Sequence, residues 1–356
     1  MTTEPSTTSA DPGHLDGQTV AVTGGTGNVG TAFLRQLGLT GVHQVRGLAR
    51  RQPPDTAPYS SVFWTHTDLG TPGSAGPLRE FLDGATTLVH LAWALQPGRE
   101  PDRLAQVNVD GTRRVLAAAA DAGVGHVVVM SSLGSYAPGN PADRVDESWP
   151  TSGVPSSQYS RDKVAVEQLT REFAAAHPDV AVTVVRPTLV LQPDAASEIG
   201  RYFLGPLLLR GARALPGAVA GAVPLPLPDD LHLGLVHADD VADALLRIID
   251  RRADGAFNLS AEPVLDPAGF AAALGSRRVP VPRAVLRAGL SAAFHARLVP
   301  TEPGWLDLGL GVPALDTTRA REVLGWSPRH RGDHLLADFV AALGRGDGGQ
   351  GPLLQP

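Results

Sequence analysis

Short apolar runs of β-type residues recur along the first half of the chain, at Thr19–Thr23, Gln44–Leu48, Thr87–Leu91, His126–Met130 and Val180–Val185. Helical patterns fill the intervals, at Val29–Leu39, Pro77–Leu82, Val107–Ala122 and Tyr159–Ala176. A strand that is apolar at successive positions has no face to give to water, so it must be covered on both sides. Strands of this kind, separated by helices, predict a doubly wound, Rossmann-like parallel sheet of the α/β class. Asp121-Ala122-Gly123 predicts a helix end, because glycine takes the left-handed turn that closes a helix.

After Pro193 the texture changes. Gly200 to Pro228 is rich in Leu, Ala, Gly and Pro and predicts interrupted short helices, with Pro224–Pro228 as a stiff surface connector. Leu233–His237 predicts a strand, Asp239–Ile249 a helix and Ala256–Leu259 a further strand, while Pro263–Pro313 is irregular and helical. The expected organisation is a Rossmann domain over 16–192, with later returns to it at about 233–262. A smaller, mostly helical C-terminal substrate lobe is expected over 193–232 and 263–343, and flexible tails over 1–15 and 344–356.

Composition removes several classes of function. The chain has no cysteine, which excludes disulfide scaffolds, thiolate metal sites and cysteine nucleophiles. No His/Asp/Glu set has metal-ligand spacing, so no metal is expected. The net charge of −6 and the lack of a basic cluster argue against nucleic acid as a partner. No apolar run approaches the roughly 18 residues of a membrane span, and the polar first residues lack a signal-peptide pattern. A cytoplasmic protein without a membrane partner is expected.

Thr23-Gly24-Gly25-Thr26-Gly27-Asn28-Val29-Gly30 follows the first predicted strand and opens the first predicted helix. Glycines 24, 27 and 30 permit a sharp turn that brings backbone N–H groups against a pyrophosphate at the helix N-terminus. Glycines at this spacing arise by chance on the order of 0.5 times per chain, so it is the strand-to-helix context that points to a dinucleotide. At the end of the second run an acidic residue would bond a ribose 2′-hydroxyl. This chain places Arg50 and Arg51 there, suited to a 2′-phosphate, so NADP(H) is expected in preference to NAD(H).

Among 30 basic residues, Lys163 is the sole lysine. It follows Tyr159 by four positions, which puts phenol and ammonium on one face of a helix that Ser156-Ser157 can cap. A chance Tyr-x-x-x-Lys is expected on the order of once in a hundred such chains. A free phenol, with its pKa of about 10, is a poor base at neutral pH, and a nearby ammonium is expected to draw it downward. Ser132, at the end of the His126–Met130 run, can hold a substrate oxygen beside that phenol. His90, on an apolar run, is expected to be packed and hydrogen-bonded. No Gly-x-Ser-x-Gly elbow supports a hydrolase.

From Gln18 to Pro328 these residues resemble the extended short-chain dehydrogenase/reductase family, also called the NAD-dependent epimerase/dehydratase family. Thr23–Gly30 is similar to its TGxxGxxG loop, Asp68-Leu69 to its adenine-contacting pair and His90-Leu91-Ala92 to the segment after its fourth strand. Asn108–Thr112 is similar to its N-x-x-G-T helix, and Arg186-Pro187-Thr188 to the turn beside the nicotinamide. Val236–Val241 and Leu324–Pro328 resemble its later signatures. The resemblance implies that Ser132, Tyr159 and Lys163 are catalytic, with Asn108 supporting the relay or the helix geometry. It also implies a homodimer formed by the helices Val107–Ala122 and Tyr159–Ala176.

Departures from the family pattern narrow the reading. Leu133-Gly134 stands where 4,6-dehydratases carry an Asp-Glu pair, so dehydration is not expected. The segment after Arg186-Pro187 lacks the Asn-rich stretch of many nucleotide-sugar epimerases. Trp93 replaces a residue that is commonly small. Trp93, Leu95, Tyr136, Trp149, Gln158, Tyr202 and Phe203 are candidates for a substrate pocket of low polarity. Asp146–Trp149 resembles a segment of dihydroflavonol-type reductases. The expectation is an NADP(H)-dependent alcohol dehydrogenase or carbonyl reductase for a small, fairly apolar metabolite. The alternatives are a sugar-nucleotide epimerase with retained cofactor and, less favoured, a non-catalytic NADPH-binding regulator.

Overall fold

Val127 and Val129 of the run His126–Met130 pack into one apolar layer and Val128 into the opposite one, all fully buried. Val20 and Val22 divide from Ala21 in the same way two strands further on. This is the two-sided burial that the unbroken apolar runs require. In the computed structural model, residues 15–95, 99–203, 224–352 and 354–355 are described. Residues 1–14 of the expected N-terminal tail and 204–223 of the Leu/Ala/Gly/Pro-rich stretch lie outside them.

The first part of the chain runs β1 (Thr19–Thr23), α1 (Asn28–Leu37), β2 (Gln44–Ala49), β3 (Phe63–His66), α2 (Ala75–Leu82) and β4 (Thr87–His90). It continues with α3 (Pro101–Ala105), α4 (Gly111–Asp121), β5 (His126–Met130), β6 (Arg144–Val145), α5 (Gln158–Ala176) and β7 (Ala181–Pro187). The later elements are β8 (Leu189–Leu191), α6 (Ala196–Phe203), β9 (Leu225–Leu227), β10 (Leu233–His237), α7 (Ala238–Arg251), β11 (Gly255–Leu259) and β12 (Ala261–Leu265). Last come α8 (Pro267–Ala273), β13 (Arg278–Pro280), α9 (Arg283–His295), α10 (Pro303–Gly309), β14 (Ala314–Leu315), α11 (Thr318–Leu324) and α12 (Gly332–Arg345).

A seven-stranded sheet carries the strand order β11-β7-β5-β4-β1-β2-β3, with every pairing parallel. Phe33, Leu37, Leu245 and Ile248 of α1 and α7 cover one face, and Phe81, Leu116, Val166 and Phe173 of α2, α4 and α5 cover the other. The order reverses between β1 and β4, and a crevice opens at the carboxyl ends of these strands, where such sheets bind ligands.

Several expectations need correction. β3 carries no unbroken apolar run because it is the sheet edge, and Phe63 is left 65% exposed. β10 does not return to the main sheet. It joins β8 in parallel and β12 antiparallel in a separate three-stranded sheet, and among the described residues β11 alone of the later strands extends the main one. Pro224–Pro228 is more than a connector, since β9 within it pairs with β13. The helix expected over Val107–Ala122 is interrupted by a π-helical turn at Gln106–Asp110, and α4 begins after it. The chain from Gly344 is not a loose tail: α12 runs to Arg345, Leu354 is fully buried, and Thr56 donates a hydrogen bond to Gln350. Leu15, assigned to the N-terminal tail, is also buried.

Candidate active site

The first turn of α1 has orphan N–H groups. Gly27 is its N-cap residue with no side chain to cap it, and Thr31 is the first residue whose N–H reaches back into the helix, to Gly27 O at 2.9 Å. Asn28, Val29 and Gly30 line a cavity of about 530 Å³. Their N–H groups and the positive end of the helix dipole suit a phosphate anion. The turn itself has no room for side chains: a Cβ on Gly24 (φ +70°) would lie 2.6 Å from Ala92 N, and one on Gly30 would lie 2.2 Å from Gly24 O. Asn28 is fixed from outside the loop, its Nδ2 donating to Val190 O at 2.9 Å and its Oδ1 accepting from Gln192 Nε2 at 2.8 Å. The residues present therefore fit a dinucleotide's pyrophosphate.

Tyr159 and Lys163 sit one turn apart on α5, whose N-cap Ser157 accepts a hydrogen bond from Ser160 N. Ser132, Tyr159 and Lys163 all line the 530 Å³ cavity, together with Gly24, Leu91 and Met130. The Tyr159 ring has Trp305 at a centroid distance of 4.6 Å and Trp93, nearly perpendicular to it, at 5.7 Å. Gly134 makes room for it, since a Cβ there would fall 2.8 Å from Tyr159 Cε1. Burial pushes the Tyr159 phenol up to about 12, although its hydrogen bond with Ser132 acts in the opposite direction. Lys163 donates to Met130 O at 2.9 Å and holds Nζ 3.4 Å from the Trp93 ring centroid and 5.7 Å from that of Tyr159. Burial pushes its ammonium down to about 7, with Glu167 and Asp162 pulling the other way. The phenol is thus raised and not lowered as expected: desolvation of the ring outweighs its hydrogen bond with Ser132.

Other expected site residues lie outside the cavity. Tyr136 is fully buried behind the site, donating to Asn258 Oδ1 at 2.7 Å and accepting from Arg186 Nη1 at 2.9 Å, so it is core and not pocket. Trp149 donates to Ala137 O and packs with that core. Gln158 faces a separate gap of about 20 Å³ and donates to Asp162 Oδ1 at 2.7 Å. Asn108, in the π-helical turn, brackets Ala94 with bonds to its N (2.8 Å) and O (3.0 Å) and touches Asp162, so it orients the segment after β4 without reaching the main cavity. Thr26 and Leu69 are buried, and Ala92 N donates to Thr23 Oγ1 at 3.2 Å. Asp68 accepts from Gly70 N at 2.8 Å and pairs with Arg103. His90 is held between Thr23 and Thr112, and burial, then the Lys163 charge, pushes its pKa down to about 3. Arg50 and Arg51 are exposed just past β2.

Leu95, Pro187, Thr188, Tyr202 and Phe203 do line the cavity. Sequence reading missed Trp305 and Glu198. Trp305 packs against Tyr159 with the ring planes tilted by 35° and makes a T-shaped contact with Phe203 at 5.1 Å. It comes from α10, far along the chain, and no local spacing could announce it. Glu198 accepts from Tyr202 Oη at 2.8 Å, and burial raises its carboxyl above the usual range. Burial and Glu198 in turn raise the Tyr202 phenol, opposed by the charges of Arg201 and Arg50.

The glycine turn at the β1–α1 junction, the crossover crevice and the Tyr159–Lys163 helix form one arrangement, and the family profile described as NAD dependent epimerase/dehydratase family matches residues 20–260. The chain belongs to that family. A ketoreductase of 4-hydroxy-2-methyl-3-oxo-4-farnesyl-3,4-dihydroquinoline-1-oxide from Stigmatella aurantiaca is 35% identical over 49% of this chain and 50% of its own. Sterol demethylase protein B from Methylococcus capsulatus is 35% identical over 56% of this chain and 60% of its own. The chain spans between 30% and 66% of the length of curated relatives such as these. Among solved structures, the dTDP-glucose 4,6-dehydratase DesIV of Streptomyces venezuelae shares the fold, with a TM-score of 0.67 at 21% identity over 91% of this chain and 96% of that one. Among the described residues, no helix is long and apolar enough to cross a membrane and no cluster of three or more His, Asp or Glu is placed to hold a metal ion.

Behind this family's glycine turn and tyrosine helix lies a buried ion pair. Glu167 of α5 accepts from Arg186 Nε at 2.9 Å and Nη2 at 2.7 Å, and from Ser131 Oγ at 2.5 Å. Burial acts to raise the Glu167 carboxyl, and the Arg186 and Ser131 contacts outweigh it, holding the group below its ordinary value. Removing one partner strands a buried charge. Glu167→Ala is therefore expected to cost about 3–5 kcal/mol of stability, measured by denaturant unfolding, because Arg186 is left uncompensated.

Proposed function

We propose that the protein is an NADP(H)-dependent oxidoreductase, an alcohol dehydrogenase or carbonyl reductase, acting on a small, fairly apolar metabolite. The observation that carries this reading is the make-up of the cavity wall: around Ser132, Tyr159 and Lys163 it is predominantly apolar, with Leu95, Phe203, Trp305, Leu306 and Leu308, and its other polar groups include Glu198, Tyr202, His232 and Thr301. A sugar nucleotide would bring many polar groups against these apolar side chains, whereas a hydrocarbon skeleton gains from them. The names of the Stigmatella and Methylococcus relatives, a ketoreductase of a farnesylated dihydroquinoline oxide and sterol demethylase protein B, add support. Homodimerisation through α4 and α5 belongs to the same proposal by family likeness.

Asn28, Val29 and Gly30 would hold the cofactor's pyrophosphate through their N–H groups, Lys163 its ribose, and Arg50 and Arg51 its 2′-phosphate. A bound nicotinamide would supply or accept the hydride. The Ser132 hydroxyl and the Tyr159 phenol would bind the substrate oxygen. With its pKa near 12 the phenol remains protonated at neutral pH, which suits donation of a proton to the oxygen of a carbonyl undergoing reduction. Asn108 would act indirectly, by fixing the segment that carries Trp93 and Leu95. Leu133 and Gly134 offer neither acid nor base for water elimination.

With a panel of apolar ketones, the protein is expected to consume NADPH stoichiometrically, followed by its near-ultraviolet absorbance. Tyr159→Phe is expected to lower kcat by about 100-fold or more while leaving NADPH affinity unchanged. Turnover of a sugar nucleotide without net change in NADPH would move the function to epimerisation. Reduction is expected to decline as pH rises through about 7, where the Lys163 ammonium loses its proton, and to show no limb from Tyr159 in the working range; a kcat/KM profile checks this. Titrations of cofactor binding are expected to show NADPH weakened about tenfold or more by the Arg50→Ala, Arg51→Ala double substitution, with NADH little affected.

A further inference from the structure

We propose that Trp93 is a positioning residue for Lys163: its indole face holds the ammonium against the cavity wall and stabilises its charged form. The proposal rests on the reading of Lys163 as the working cation of the site and adds a residue to that machinery.

The geometry is that of a cation over a ring. Lys163 Nζ lies 3.4 Å from the Trp93 centroid, well inside the roughly 6 Å range of such contacts, and the residue is only 3% exposed. An ammonium has three N–H donors. One goes to Met130 O at 2.9 Å from β5, and the indole face takes a second direction. The charged and titratable groups around it are already engaged. On its own helix, Asp162 accepts from Asn108 and Gln158, Glu167 is paired with Arg186, and Tyr159 presents a neutral phenol with its ring centroid 5.7 Å away. From β4, His90 is neutral and bonded to two threonines. With the residue so little exposed, the ring face stands in for solvation that burial has removed.

The indole is placed for its face. Its Nε1 is buried with no hydrogen-bond partner among the described residues, so no bond to that atom there fixes the ring's orientation. The ring stands nearly perpendicular to that of Tyr159, at 74°, and meets Lys163 by its face. The main chain beside it is fixed by the paired bonds between Asn108 and Ala94. A small residue at position 93 would leave the ammonium with the Met130 carbonyl and no second partner in this direction. Burial already pushes Lys163 down to about 7, so any further loss would discharge it at neutral pH.

Because Lys163 is the only lysine in the sequence, enzyme grown with [ε-13C]lysine gives one side-chain signal, whose chemical shift and titration can be read without substrate or cofactor. The wild-type signal is expected to be shifted upfield by the indole ring current. Trp93→Leu is expected to lose that shift and to lower the titration midpoint by about one pH unit, a tenfold change in ionisation constant, and Trp93→Phe to restore part of both. An unchanged midpoint in Trp93→Leu, or a Trp93→Phe protein indistinguishable from Trp93→Leu, overturns the proposal. Should Trp93→Leu fail to fold, the wild-type chain carrying fluorinated tryptophan answers the same question. The midpoint is expected to fall as fluorination weakens the ring's negative face, and a midpoint that does not move overturns the proposal. The outcomes separate cleanly from the function itself. An unchanged titration in a protein that consumes NADPH removes Trp93 alone, whereas a shifted titration in one that reduces no ketone removes the oxidoreductase reading and leaves the Trp93–Lys163 contact standing.

Discussion

Backbone touches backbone where β1 turns into α1. Gly24 lies so close to the chain after β4 that a single added carbon would collide with Ala92 N and Leu91 C, and Gly30 lies as close to Gly24 O. This approach aims the uncapped start of α1 at the crevice, and it draws Leu91 and Trp93 to the cavity wall. The same segment is then clasped by Asn108 through Ala94. Two glycines thereby determine where an anion can sit and which aromatic ring faces Lys163.

The polar groups behind the site form a second, rigid layer. Glu167, Arg186, Ser131, Tyr136 and Asn258 bond one another across α5, β5, β7 and β11. Charges buried this deeply are costly unless every partner is supplied, so the network fixes the relative placement of the elements that carry Ser132, Tyr159 and Lys163. On the solvent side of that layer the environment turns aromatic, through Trp93, Trp305 and Phe203. Burial accordingly moves the phenol and the ammonium each toward its neutral form.

The parallel sheet was legible in the sequence because strands such as β1 and β5 are apolar at successive positions, which no surface strand tolerates. β3 escaped because an edge strand has no such need, and β10 was placed in the wrong sheet because an apolar pentapeptide carries no label for its neighbour. Tyr136 and Trp149 were read as pocket residues on composition alone. An aromatic ring is equally at home in a core, and here the Tyr136 hydroxyl found its partners inside. Trp305 left no trace near Tyr159 in the sequence, since its helix is brought over the phenol only by the folding of the C-terminal lobe.

By itself the sequence determined the layered α/β architecture, the glycine turn and the spacing of Tyr159 and Lys163, because each depends on local geometry: strand alternation, the absence of a Cβ, one turn of helix. Tertiary structure alone decided the electrostatic state of that pair. Whether a phenol is lowered by a cation or raised by loss of water depends on how many side chains crowd around it. Here Trp93, Trp305 and the walls of the cavity, assembled from distant parts of the chain, make desolvation the larger effect.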